Sequence, residues 1–318
     1  MTGTNTTVPT SPAAWKAALD SLPTTPDDIP AFFFAHGSPM LAYPKGARTG
    51  LGVIEKWVGP DGELANFLRA FGPTLLKKYQ PKGIVVFSAH WETSKERLVT
   101  DYGDENPLLM DYFGFPRQLY EIKFKSKGDS ALSHKVVQLF KDAGIRARTT
   151  SVDERRGSDG RGFSGPGFDH GVFVPFRLMF TDELKDVPIV QASIDASMSP
   201  EDNYKLGKAV TKLRKEGILV LAGGLPIHNL GDIMCFHPDT ARPGYIEFNK
   251  AIVDAIQVQE SEPRFKALKA LMSHNSFRLA NPTPEHFVPL YVAAGAGEGG
   301  KVQVLNAMYG ITTVGFGL

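Results

Sequence analysis

Short apolar runs bounded by turn-forming residues are the feature that most constrains the fold of this chain. Four runs have the length and the apolar character of strands that are buried on both faces of a sheet. They occupy residues 29–35, 83–89, 187–193 and 217–222. Because such strands are typical of parallel sheets covered by helices, the pattern favours an α/β fold.

Segments with helical spacing of apolar residues alternate with these runs. Two of them, residues 64–75 and 204–215, each lie between two of the predicted strands. Two more helices are predicted over 245–258 and 264–272, and a late strand over 302–309. The alternation predicts a central, mostly parallel or mixed sheet with helices on both faces.

No linker-like stretch, charge block or repeat divides the 318 residues, so we predict a single domain. Residues 29–318 form this domain, and residues 1–28 form a flexible N-terminal extension. The two least regular stretches, residues 153–171 and 293–300, are predicted to be loops, which often carry function when they are long.

The charge balance excludes several kinds of partner. Lysine and arginine total 35 against 34 acidic residues, so the chain lacks the basic excess that is typical of nucleic-acid-binding proteins. No apolar run approaches the roughly 20 residues that a membrane helix needs, and the polar start does not resemble a signal peptide. We therefore expect a cytoplasmic protein with small-molecule partners, no nucleic acid and no membrane contact.

Cys235 is the only cysteine, which excludes an intrachain disulfide and any zinc site that needs more than one thiolate from this chain. A metal ion would have to be held by imidazole or carboxylate groups. Catalysis by a nucleophilic cysteine or serine is a weaker hypothesis, because Cys235 has no positional signal and neither Ser38 nor Ser88 lies in a nucleophile elbow. The glycines of residues 157–167 follow no apolar strand, so they do not indicate a dinucleotide site.

Three histidines follow predicted strands almost immediately. They are His36, His90 and His228. In open α/β sheets the ligand crevice lies beyond the carboxyl ends of the strands, so we expect these side chains to converge there.

Two further histidines have contexts that suggest function. His170 ends the glycine-rich loop, and His286 lies in a proline-rich segment. A single histidine near a strand end is more often a hydrogen-bonded structural group, but five in glycine-, proline- or small-residue contexts favour a shared site. The remaining histidines are assigned to surface or packing positions: His134, His237 and His274.

Neutral imidazoles, with or without a carboxylate, favour a mononuclear metal centre with open positions for substrate and for oxygen or water. Redox iron and hydrolytic zinc both suit such a centre. Because the ligands would come from distant strands, the sequence contains no local signature such as HExxH that separates the two metals.

Six motifs occur in an order that resembles one family, the class III extradiol ring-cleaving dioxygenases of the protocatechuate 4,5-dioxygenase catalytic-subunit type, and in particular its DOPA-dioxygenase-like branch. The motifs are His36-Gly-Ser-Pro-Met, Ser88-Ala-His90-Trp91, Asp111-Tyr-Phe-Gly-Phe-Pro116, Asp169-His170-Gly, Gly223-Gly224 through His228-Asn229, and Pro282-Thr-Pro-Glu-His286-Phe. The resemblance covers about residues 29–314, and it is the order of the motifs that makes it specific.

The resemblance implies a set of roles. His36 and His90 resemble two metal ligands, and the Glu285-His286 pair supplies the third, for which His286 is the stronger candidate. His228 resembles the acid/base histidine, and His170 resembles a histidine that contacts substrate or oxygen. The cofactor implied is Fe(II) for activity, with Zn(II) also found in this branch, and the partners implied are a small aromatic diol and O2.

The function hypothesis is therefore an Fe(II)-dependent extradiol dioxygenase that opens a substituted, DOPA-like catechol with O2. The alternatives are a zinc-dependent hydrolase that uses the same histidines to activate water, and a non-catalytic relative that keeps the fold.

Aromatic and basic residues near the motifs give further expectations. Phe34 and Phe113 are predicted core residues, whereas Trp91 and Phe115 are equally compatible with the core and with a pocket wall. The arginines of the glycine-rich loop are predicted to be solvated rather than to bind a substrate carboxylate: Arg155, Arg156 and Arg161.

Overall fold

An eight-stranded mixed sheet forms the centre of the computed structural model, which describes residues 8–156, 163 and 165–318. The strands are β1 (Ala31–Ala35), β2 (Gly83–Thr93), β3 (Arg97–Thr100), β4 (Lys125–Ser126), β5 (Ala147–Thr150), β6 (Glu183–Leu184), β7 (Ile189–Asp195), β8 (Ile218–Gly224), β9 (Val302–Asn306) and β10 (Thr313–Phe316). The main sheet has the order β5-β3-β7-β2-β8-β1-β10-β9, and β4 pairs separately with β6.

The four central strands β7, β2, β8 and β1 run parallel to one another. On either side of them the pairing changes, because β3 runs antiparallel to β7 and β10 runs antiparallel to β1. The predicted single-domain α/β fold with a mixed sheet is confirmed. The helix predicted between the first two strands, over residues 64–75, is present too, although β8 lies between β1 and β2 in the sheet.

Helices cover both faces of the sheet. They are α1 (Pro12–Asp20), α2 (Glu55–Val58), α3 (Glu63–Tyr79), α4 (Ser130–Asp142), α5 (His170–Phe180), α6 (Pro200–Ala209), α7 (Pro243–Ile256), α8 (Ser261–Ala270), α9 (Phe277–Ala280) and α10 (Pro289–Ala296). In the part of the chain that the structure describes, none of them is both long and apolar enough to cross a membrane.

Alternation of side chains along β1 explains why both faces need helices. Phe32 and Phe34 pack in the core that contains α1, α3 and α5, whereas Phe33 packs in the core that contains α4, α6, α7 and α10. Successive side chains of a strand point to opposite faces, so a strand that is apolar throughout must be covered twice.

Two predicted boundaries differ from the structure in informative ways. The predicted strand at 83–89 continues to Thr93, so that His90 lies inside β2 rather than after it. The stretch at 293–300 was expected to be a loop, but its first half belongs to α10. Its small residues are there because another helix packs closely against it, and composition alone does not distinguish such a helix from a loop.

The N-terminal segment is partly ordered. Ser11 caps α1, and the buried ring of Trp15 meets the ring of Phe67 on α3 edge-on, with 5.4 Å between the centroids. The expectation of a flexible extension is therefore wrong for residues 12–20, because burial of an aromatic side chain fixes this helix on the domain. The domain boundary at residue 29 stays a prediction.

The crossing of α6 and α10 matters because α10 begins three residues after His286. A Cβ atom at Gly207 of α6 would overlap the carbonyl oxygen of Val292, and one at Gly295 of α10 would overlap that of Tyr204. The two helices therefore touch through their backbones, and this contact fixes the position from which the chain reaches His286.

We expect Gly207→Ala to destabilise the protein by about 3 kcal/mol, because the added methyl group forces two packed backbones apart. Urea unfolding followed by circular dichroism measures the change. Lys205→Ala on the exposed side of α6 is the matched control and should change stability by less than about 0.5 kcal/mol. Equal stability of the two variants would contradict the close helix contact.

Candidate metal centre

Three of the five candidate histidines come from neighbouring strands. His36 directly follows β1, His90 lies near the end of β2, and His228 follows the end of β8 in the next turn. The pairing aligns these ends, because Ala35 lies opposite Gly224 and Ser88 lies opposite Gly223. The predicted convergence at the carboxyl edge of the sheet is what the structure has.

The other two histidines reach this edge from helices. His170 is the first residue of α5, and His286 precedes α10. The carbonyl of His286 accepts a hydrogen bond of 2.8 Å from the amide of Leu225, just after β8. A Cβ atom at Gly224 would overlap that carbonyl, so the glycine pair at the end of β8 allows the His286 segment to approach the sheet.

His36, His90 and His286 form a compact, buried trio. One ring nitrogen from each lies within 4.8 Å of the other two, and their side chains are almost entirely shielded from solvent. The Nε2 atoms of His90 and His286 are 3.2 Å apart. Two nitrogens bound tetrahedrally to one zinc ion at about 2.1 Å would be about 3.4 Å apart, so this spacing suits a shared metal ion.

Hydrogen bonds fix which nitrogen of His36 and of His286 faces the centre. Nδ1 of His36 lies 2.7 Å from the carbonyl oxygen of Gly37, which can only accept, so this nitrogen carries the proton. Nε2 of His36 is then a bare acceptor, and among the described residues it has no hydrogen-bond partner although it is buried. A buried lone pair without a donor is costly, and a metal ion is the group that would satisfy it.

His286 is oriented in the same way. Its Nδ1 lies 3.0 Å from Oε1 of Glu285, so that its Nε2 is left to face Nε2 of His90. Two bare nitrogens repel each other at this distance unless a proton or a cation lies between them. On this evidence the residues fit a divalent metal ion.

Burial keeps His36 in the form that binds metal. Desolvation, followed by the neighbouring His286, His170 and His228, holds the pKa of His36 well below its ordinary value of 6.5. The ring is therefore neutral at pH 7, and only a neutral imidazole offers a lone pair to a metal ion.

Glu285, the alternative third ligand, lies beside the trio. Its Oε1 accepts hydrogen bonds from Thr283 and from Nδ1 of His286. A second group of possible ligand atoms, with spacings that also fit a metal ion, joins Glu285 to His228 and His286. The geometry thus brings both candidates to the centre, with Glu285 in the position of a group that orients His286.

Asp111 is a site residue to which the sequence analysis assigned no role. Its Oδ1 accepts hydrogen bonds of 2.8 Å from both Nδ1 and the backbone amide of His170, and its Oδ2 lies 3.4 Å from Nδ1 of His90. One buried carboxylate therefore faces the outer nitrogens of two candidate histidines. The motif that contains Asp111 was visible in the sequence, but nothing in its spacing indicated these contacts.

Asp169 holds the layer behind His90 together. Its carboxylate accepts hydrogen bonds from Ser88 at 2.6 Å, from Gln191 at 2.6 Å and from Arg156 at 2.8 Å. The Arg156 guanidinium also lies over the ring of Trp91, 4.3 Å from its centroid. The expectation that Arg156 is solvated is wrong, because this arginine is buried as the counter-ion of Asp169. Arg155 is exposed as expected, and Arg161 lies outside the described residues.

The two candidate catalytic histidines flank the trio. The ring of His228 stacks on that of His286 with 3.5 Å between centroids, and the ring of His170 lies 4.0 Å from that of His90. The three remaining histidines lie elsewhere, as predicted: His134 is exposed, His274 is half-buried, and His237 packs against Trp57.

A cavity of about 1200 Å³ opens above the histidines. Most of its lining is apolar, and it includes Phe115. Phe34 is a core residue as predicted, and Trp91 proves to be buried. The prediction for Phe113 is wrong, because this ring is 76% exposed at the mouth of the cavity, where it stacks with Phe163.

Cys235 also lines the cavity but does not act as a nucleophile in this state. Burial raises the pKa of its thiol to about 12, so it stays protonated at neutral pH.

Comparison with known proteins gives consistent results. A family model described as the catalytic LigB subunit of aromatic ring-opening dioxygenase matches residues 30–318. A Schizosaccharomyces pombe protein named 4,5-DOPA dioxygenase extradiol-like protein is 41% identical over 304 residues, which cover 96% of this chain and 97% of the relative. The 4,5-DOPA dioxygenase extradiol of Beta vulgaris is 30% identical over 86% of this chain and 90% of its own.

The fold also has a solved counterpart. The crystal structure of an uncharacterized protein from Escherichia coli K12 superposes with a TM-score of 0.63 at 25% sequence identity. The match covers 91% of this chain and 100% of the other.

We expect Asp111→Ala to weaken metal binding about 10- to 100-fold, because His90 loses the carboxylate that faces its outer nitrogen. Titration of the metal-free protein with Zn²⁺ against a chromophoric chelator measures the affinity. Asp101→Ala is the matched control, since Asp101 lies beside another histidine, His134, away from the metal-binding histidines. An affinity in Asp111→Ala equal to that of the control would contradict the positioning of His90 by Asp111.

Proposed function

Because this chain belongs to the LigB family of aromatic ring-opening dioxygenases and is an extradiol ring-cleaving dioxygenase, we propose that its metal is iron(II) and that its substrate is a substituted catechol such as DOPA. The observation that carries the proposal is the buried trio of imidazoles whose inner nitrogens face one another below an open cavity. A cytoplasmic location is part of the proposal, and fractionation of cells that express the tagged protein tests it.

His36, His90 and His286 are the proposed ligands, with Glu285 as the group that orients His286. When bound, an iron(II) ion supplies a Lewis acid for the two catechol oxygens, as zinc would, and also a path for electrons between the diol and O2, which zinc lacks. Three protein ligands leave positions open for both reactants, and the cavity above the trio gives them access.

His228 is the proposed acid/base. Its ring is stacked on His286 and half-buried at the cavity, so it lies beside the place where the diol binds. A neutral imidazole in this place accepts the proton of the second hydroxyl and returns it later. Such a positioned proton transfer contributes about 10² to 10⁴ in rate.

His170 is proposed to stabilise negative charge that develops on oxygen. Oδ1 of Asp111 lies 2.8 Å from Nδ1 of His170 and holds the ring in place, as a carboxylate does in a catalytic triad. When both ring nitrogens carry a proton, the Nε2–H of His170 donates a hydrogen bond to the anionic oxygen. Asp111 holds both the backbone amide and the ring, so little reorganisation is needed when the charge appears.

The first test compares iron-loaded and zinc-loaded protein on a panel of catechols that includes DOPA. With iron we expect O2 uptake that matches the amount of yellow ring-opened product, and with zinc we expect neither. The proposal is abandoned if no catechol is consumed by the iron form. Hydrolysis of added esters or amides by the zinc form would instead support a metal hydrolase.

The second test separates the proposed roles. We expect His286→Ala to lose metal affinity, whereas His228→Ala keeps the metal and loses about 10² to 10⁴ in kcat. Glu285→Gln should keep most of the affinity, because the amide can still accept a hydrogen bond from His286. Metal content by mass spectrometry, together with O2 uptake, measures both quantities. If Glu285→Gln loses the metal and His286→Ala retains it, the ligand assignment is reversed.

A further inference from the structure

The cavity is larger and more apolar than one catechol ring requires. Its volume of about 1200 Å³ exceeds the range of about 300 to 1,000 Å³ that is typical of pockets for drug-sized ligands. A diol bound at the histidines occupies only the part of the cavity next to these side chains. The rest of the space therefore receives the ring substituent of the substrate.

Part of the lining of this space consists of apolar side chains that we call the apolar wall. It is built from three separate segments of the chain: the turn before α2 with α2 itself, the turn after His228, and the turn before β10. Its members are Leu51, Ile54, Val58, Ile233, Phe236 and Ile311. The ring of Phe236 lies 6.4 Å from that of His228, so the wall begins beside the proposed acid/base.

Hydrogen bonds between the three segments hold the wall in place. The indole N–H of Trp57 donates to the carbonyl oxygen of Tyr309 at 2.7 Å, and the hydroxyl of Tyr309 donates to the carbonyl oxygen of Cys235 at 2.8 Å. The ring of Trp57 also packs on that of His237. These contacts tie the three segments to one another.

The wall also exposes apolar carbon at the mouth of the cavity. Ile233 is 48% exposed, and the neighbouring Leu230, which lines the same cavity, is 75% exposed. Apolar side chains gathered at a concave surface indicate a ligand that covers them. A zwitterionic substituent would lose its hydration there without gaining partners from the wall, whereas an alkyl or aryl group would gain contact.

We propose that, among the substituted catechols that this site takes, those with an apolar ring substituent, an alkyl chain or an aromatic group, bind more tightly than DOPA because this substituent packs on the apolar wall. The inference rests on the proposed function, since it takes the diol to be held at the histidines. It adds that affinity and selectivity come from Ile54, Ile233, Phe236 and their neighbours rather than from recognition of an amino-acid group.

Binding to the zinc-loaded protein tests the inference without turnover. Calorimetric titration with 4-methyl-, 4-ethyl-, 4-propyl- and 4-butylcatechol should give an affinity that rises about fourfold per methylene group, and DOPA should bind more weakly than 4-propylcatechol. An affinity that does not change along the alkylcatechol series, or tighter binding of DOPA than of 4-propylcatechol, would overturn the inference. Both results are independent of whether the iron form opens any ring, so a failure here differs from a failure of the proposed function.

Ile233→Ser and Ile246→Ser form a matched pair for the same titration. Ile246 has a similar exposure of 41% but lies on α7, outside the cavity lining that the structure describes. We expect Ile233→Ser to reduce the gain per methylene group and Ile246→Ser to keep it. An equal gain in the two variants would show that the chain does not lie on the apolar wall, and would overturn the inference.

Discussion

The arrangement of this site depends on one constraint: the imidazole rings of His36, His90 and His286, which lie side by side, must be neutral and correctly oriented to bind one cation together. Charging one ring in such a cluster is opposed by burial and by its neighbours, as the lowered pKa of His36 illustrates. Orientation comes from acceptors on the outer side of the rings, namely the Gly37 carbonyl, Glu285 and Asp111. The Gly37 carbonyl and Glu285 turn the Nδ1–H groups of His36 and His286 outward, so the Nε2 lone pairs of these two rings point inward. A cation is the simplest group that satisfies them together.

A second buried network supports the segments that carry His90 and His170. Asp169 ties Ser88, Gln191 and Arg156 together directly behind β2 and at the start of α5. Ser88 in turn accepts a hydrogen bond of 3.1 Å from the amide of His90. Removing one member of such a buried ion pair leaves an uncompensated charge, which costs about 3 to 5 kcal/mol. The same network therefore stabilises the fold and fixes the segments that carry His90 and His170.

The parts of this structure that follow from local sequence were predictable, and those that follow from long-range packing were not. Apolar runs gave the central strands, and the histidines after them converge because parallel strands end at one edge. Arg156 is different: its loop looks solvated, and only its contact with Asp169 and Trp91 explains its burial. Phe113 is the opposite case: its aromatic motif suggests a core residue, and the sequence does not reveal that the ring is exposed at the mouth of the cavity.

The same distinction applies within the site. The roles proposed for the histidines depend on residue type and strand position, which a sequence carries. Asp111 could not be assigned in this way, since a carboxylate becomes a positioning group only when His90 and His170 are brought to it from different elements.

Chemistry and substrate choice are built from different parts of this fold. The proposed metal ligands lie at the edge of the sheet, where a shift of one residue in register would turn a histidine to the opposite face. The apolar wall belongs to turns that lie outside the sheet, held by the Trp57 and Tyr309 hydrogen bonds. Substitutions in those turns change the shape of the cavity without disturbing the ligand geometry. A scaffold divided in this way can keep one oxidative reaction while the ring substituent of the substrate varies. The reason is that the substituent contacts residues to which neither metal binding nor proton transfer is assigned.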